Sequence, residues 1–65
     1  MKASESEIKE WLQDAKEDGF DYVIVVTDTF SYEDYPVFAN ESTKGELEAK
    51  YRGASMQRVS QVLKV

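Results

Sequence analysis

The chain has 65 residues, a formal net charge of −5, and neither cysteine nor histidine. That excludes disulfide staples, thiolate or imidazole catalysis, and zinc sites of the nitrogen–sulfur kind. So short a chain also leaves little volume for a water-excluded cleft, so a non-enzymatic protein without a cofactor is expected.

The charge is uneven, with 11 Asp/Glu against three Lys in residues 1–43 and five Lys/Arg against two Glu in residues 44–65. Nucleic-acid binders carry a basic face, so DNA and RNA are not expected partners, although the basic last third could hold a few phosphates. Residues 1–65 are read as a single domain near the lower size limit. Such a chain buries only about 60% of its unfolded surface. The N-terminal run through Glu7 is polar, and the longest apolar run, Tyr22–Val26, is five residues. Neither resembles a signal peptide or the roughly 20 apolar residues of a membrane span, so a soluble cytoplasmic protein is expected.

The first element is a helix. Ser4 and Glu7 have the spacing of a capping box. Ile8, Trp11, Leu12 and Ala15 then make one apolar stripe, and Gly19 is placed to stop the helix in a left-handed conformation. Glu5, Glu10 and Asp14 lie off the stripe as a solvated face. Tyr22 to Asp28 is rich in β-branched residues and reads as a strand, apolar on both pleat faces and therefore central.

A connection running from Asp28 to Asp34 follows. It looks longer than an ordinary hairpin turn, lacks glycine, and sets aromatic rings among carboxylates. Tyr35 to Asn40 forms the second strand, and Pro36, which cannot donate to a ladder, places it at an edge. Thr43 and Glu46 suggest a second capping box. It would open a short helix through Leu47 and Tyr51 that ends at Gly53. In residues 56–65, Met56, Val59 and Leu63 fit a helix, whereas Val59, Val62 and Val65 fit a strand. A strand is chosen because the central strand needs a second neighbour.

The fold class expected is α+β, in the order α-β-β-α-β. A right-handed crossover through the second helix gives a mainly antiparallel three-stranded sheet of order 2-1-3. If both helices lay on one face, the other face of the central strand would be bare. A homodimer or higher homo-oligomer would cover it or pair the edges.

Asp28, Glu33 and Asp34 form the tightest acidic cluster near a loop. A calcium loop wants alternating oxygen ligands and a glycine; Phe30 stands where a ligand would, so no metal is expected. Asp28 is equally suited to cap the turn. Among the rings, alternation separates Tyr35 and Val37 from Pro36 and Phe38. Phe30 and Phe38 lean towards packing, while Tyr32 and Tyr35 are available to a ligand or partner. Lys50, Arg52, Gln57 and Arg58 surround the junction of the second helix and last strand, where Arg can grip phosphate or carboxylate or pair with the acidic half.

The string Asp28-Thr29-Phe30-x-Tyr32-Glu33-Asp34-Tyr35-Pro36-Val37, after an apolar strand and followed by Met56-Gln57-Arg58-Val59, resembles a family of very short phage and prophage proteins. The likeness spans Tyr22 to Val62. It implies an anti-defence role in the cytoplasm of an infected bacterial host. One form of that role is a sponge that sequesters a nucleotide-derived immune signal. Tyr32 and Tyr35 would stack on it, Asp28 and Asp34 would hold ribose, and Arg52 and Arg58 would hold phosphate. With Phe30 and Gln57 these make the candidate ligand-binding set. The alternative is an interaction module that inhibits a host protein by docking the aromatic–acidic loop, residues 28–38.

Overall fold

The computed structural model describes residues 3–65; Met1 and Lys2, which begin the polar N-terminal run, lie outside them. The elements are α1 (Glu5–Glu17), β1 (Tyr22–Asp28), β2 (Asp34–Ala39), α2 (Lys44–Arg52) and β3 (Gln57–Lys64). The sheet has the order β2-β1-β3, and β1 is antiparallel to both neighbours. This is the expected α+β architecture, with the ambiguous last segment a strand. Among the described residues no helix is long and apolar enough to cross a membrane.

The ends of α1 follow from its sequence. The Ser4 hydroxyl accepts from the Glu7 N–H at 3.2 Å. At the other end Gly19 has φ 82°, and the Gly19 and Phe20 N–H groups donate to the Lys16 and Ala15 carbonyls at 3.2 and 2.8 Å. That is the paired bonding of a Schellman stop, and it requires the left-handed residue that glycine supplies. The start of α2 is different. The Thr43 side chain makes no cap bond to its helix; its hydroxyl turns back and accepts from the Asn40 N–H at 2.9 Å. The second capping box expected from Thr43 and Glu46 therefore does not form, because the hydroxyl closes the Asn40 turn instead.

β1 is the core. Val23, Ile24, Val25 and Val26 are at most 1% exposed, and burying each such side chain is worth roughly 1.5–3 kcal/mol. Val23 and Val25 pack beneath α1 with Ala15, Trp11, Leu12, Phe20, Phe38 and Leu63. Ile24 and Val26 pack on the other face with Ala39, Val37, Val59, Val62 and, from α2, Leu47 and Tyr51. The two helices thus lie on opposite faces, so the bare apolar face that would have called for a dimer does not exist. The crossover helix α2 can cover only one side of β1, and the apolar stripe of α1 takes the other.

β3 pairs with β1 through a bulge: Val26 is opposite Val59 and Val25 opposite Gln61, leaving Ser60 unpaired. Val59 and Val62 are three apart, a spacing that would put them on opposite faces of a regular strand. The extra residue returns both to the α2 face. The bulge is why this strand carries a helix-like apolar spacing.

Candidate functional site

The β1–β2 connection is tighter than the sequence suggests. Asp34 already belongs to β2, and the Asp28 N–H donates to the Glu33 carbonyl at 2.9 Å. The Tyr32 N–H donates to the Asp28 carbonyl at 2.7 Å. Asp28 Oδ1 accepts from the Phe30 N–H at 2.8 Å and the Ser31 N–H at 3.4 Å, so its carboxylate caps the turn. The turn needs one left-handed residue, and Tyr32 (φ 58°) fills that position in place of a glycine. A further bond, Thr29 N–H to the Met56 carbonyl at 2.9 Å, ties this loop to the α2–β3 connection.

Three apolar side chains stand out from this doubly anchored end. Phe30 is 78% exposed, Tyr32 66% and Met56 50%. Beside them lies an open hollow of about 470 Å³ lined by Asp28, Phe30, Ala54, Ser55, Met56 and Gln57. Phe30, expected to lean towards packing, is the most exposed large apolar residue among those described. The turn spends its inward directions on backbone and carboxylate bonds and leaves the ring outside. Phe38 does pack, 5.6 Å from Phe20 between ring centroids.

Other members of the candidate set are drawn away from the hollow. Asp34 faces the α1 side, where its carboxylate accepts from the Thr27 hydroxyl at 2.5 Å and the Ala3 N–H at 2.9 Å. Tyr35 lies on the α2 face, edge-on to Tyr51 at 6.4 Å, and its hydroxyl accepts from Gln57 Nε2. Burial, and then the neighbouring Tyr51, push the Tyr35 hydroxyl pKa above its ordinary 10.0, with the Gln57 bond pulling the other way. Arg58 is opposite Thr27 and exposed; Arg52 closes α2 and is exposed. Asp28, Phe30 and Gln57 meet at the hollow, Tyr32 rises from the adjoining turn, and Asp34, Tyr35, Arg52 and Arg58 do not converge there. Among the described residues no three carboxylates are placed to share a metal ion.

Sequence reasoning left Met56, Ala54 and Ser55 out of the site. Met56 follows three small or polar residues and precedes a strand, so an exposed methionine beside the aromatic loop becomes visible only through the Thr29–Met56 bond. Compared with models of protein families, with curated proteins and with solved structures, the chain finds no match.

Proposed function

We propose that this is a non-enzymatic interaction module that docks on a host protein through Phe30, Tyr32 and Met56, in the phage-type anti-defence role that the motif resemblance implies. The supporting observation is a hydrogen-bonded turn that leaves two aromatic rings, Phe30 and Tyr32, largely exposed. An ordinary polar turn has no need of them. A non-glycine residue in the left-handed region costs roughly 1–2 kcal/mol, and the turn carries that cost at a tyrosine that is 66% exposed.

Aromatic and methionine side chains are enriched at the centre of protein interfaces, and a pre-ordered loop reduces the entropy cost of binding. Asp28 and Glu33 flank the rings, which suits an apolar pocket with a basic rim. Sequestration of a nucleotide at this end is less well supported. The Asp28 and Asp34 carboxylates are spent on internal bonds, Tyr35 is engaged by Gln57, and the two arginines stand elsewhere.

The test is affinity capture from a bacterial lysate with the wild type and with Phe30→Asp, followed by a binding titration with the captured protein. A docking ring at the centre of an interface carries 2 kcal/mol or more, about thirtyfold in affinity. Loss of that size with an unchanged melting temperature is expected. Equal capture by both proteins would refute the reading.

A further inference from the structure

The end of the sheet opposite the aromatic loop carries a second surface of another character. Lys9, Leu12, Gln13 and Lys16 lie at i, i+3, i+4 and i+7 along one flank of α1. With Lys64 at the end of β3 and Val65 after it they border an open hollow of about 360 Å³. Every charged side chain lining it is a lysine, in a chain of net charge −5. Lys9 and Lys16 are about 10 Å apart along the helix axis, and Leu12 and Val65 supply apolar lining between them. An adjoining hollow of about 520 Å³ shares Lys16, Lys64 and Val65 and adds Gly19, Phe20, Asp21 and Glu41.

We infer that this end binds a nucleoside phosphate. Three ammonium groups around one space concentrate positive potential that an anionic ligand would offset, with Asp21 and Glu41 confined to the adjoining hollow. Lysine acts as a point charge well matched to phosphate, and no arginine fork is present to favour a planar carboxylate. The hollow sits at the small end of the range that holds metabolite-sized ligands, about 300–1,000 Å³. Leu12, Val65 and the half-buried Phe20 give an apolar body a surface to lie on.

Asp21 and Glu41 give direction. Glu41 Oε1 accepts from the Tyr22 hydroxyl at 2.6 Å, and Asp21 Oδ2 accepts from the Glu41 N–H at 3.3 Å. Each carboxylate keeps acceptor capacity for sugar hydroxyls, while their charge drives the phosphates to the Lys9 side. The site is independent of the docking surface, which lies at the far end of β1, and neither reading needs the other.

The experiment is an NMR titration of the isotope-labelled chain with adenosine diphosphate, adenosine and inorganic pyrophosphate, repeated at higher salt. With adenosine diphosphate, saturable amide shifts centred on residues 9–20 and 64–65 are expected, weakening as salt rises. Adenosine and pyrophosphate should each bind at least tenfold more weakly. The triple variant Lys9→Gln/Lys16→Gln/Lys64→Gln, in which glutamine keeps helix propensity, should lose about tenfold or more in affinity and keep the wild-type melting temperature.

No saturable shift at millimolar nucleotide would overturn the inference. So would shifts that map to residues 28–33, or pyrophosphate binding as tight as the nucleotide. Because the wild-type titration alone decides the location, a triple variant that failed to fold would not shelter the proposal.

Discussion

Replacing Tyr32 by glycine should leave a more stable protein than replacing it by alanine, because both delete the ring and only glycine relieves the left-handed backbone. Tyr32 holds φ at 58°, where a Cβ crowds the following carbonyl and costs roughly 1–2 kcal/mol. Glycine removes that cost but loses more conformational freedom on folding, about 0.5–1 kcal/mol. The Tyr32 N–H bond to the Asp28 carbonyl at 2.7 Å is a backbone bond and survives the change. The informative comparison is Tyr32→Gly with Tyr32→Ala, since both delete the ring and only one relieves the backbone. The glycine variant should exceed the alanine variant by about 0.5–1 kcal/mol. For a domain of this size that is roughly 2–8 °C in melting temperature. Urea titrations and thermal scans followed by circular dichroism measure it. Both variants should also lose affinity for the partner proposed to dock on this turn. If glycine is no more stable than alanine at this position, left-handed strain at Tyr32 is not a term in this fold.

The β3 bulge makes a second prediction: deleting Ser60 restores a regular ladder with Val59 and Val62 still on the α2 face, so a cooperative urea transition should persist. Inserting one serine between Gln61 and Val62 should turn Val62 and Leu63 to the wrong faces and cost roughly 1.5–3 kcal/mol for each; an insertion as stable as the deletion would contradict the assigned register. The third concerns alkaline pH. Tyr22, through its bond to the Glu41 carboxylate first, and Tyr35, through burial first, are both raised above 10.0. Their protonated forms are favoured by folding, so the stability they contribute is whole below 10.0 and is lost as pH climbs from there through the folded values. Urea midpoints should fall over that window, less so in Tyr35→Phe; a flat profile in the wild type would count against both environments.

Much of the fold can be read from the chain without coordinates. Ser4, the stripe from Ile8 to Ala15, and Gly19 define α1, because caps and periodicity are local physics. The doubly apolar run of β1 demands the centre of a sheet, and two strands and a crossover helix then leave few arrangements, of which 2-1-3 is the observed one. Local signals failed where two partners competed for one group. The Thr43 hydroxyl can cap α2 or close the Asn40 turn, and the choice depends on how the chain leaves β2. The apolar spacing of residues 56–65 suits a helix until the pairing with Val25 and Val26 extrudes Ser60.

Which face each helix covers is likewise a tertiary matter, since each apolar stripe fits either side of β1. The same holds for the surfaces proposed to carry function. Asp34 and Tyr35 are adjacent in sequence and point to opposite faces because a strand alternates, which separates residues that composition had grouped. Phe30 and Met56 are distant in sequence and meet because one backbone bond joins their loops. Lys9, Lys16 and Lys64, scattered through acidic and basic segments alike, share a hollow only because α1 packs on the face of β1, beside the end of β3. Local composition determines elements, whereas convergence of side chains from different elements depends on packing.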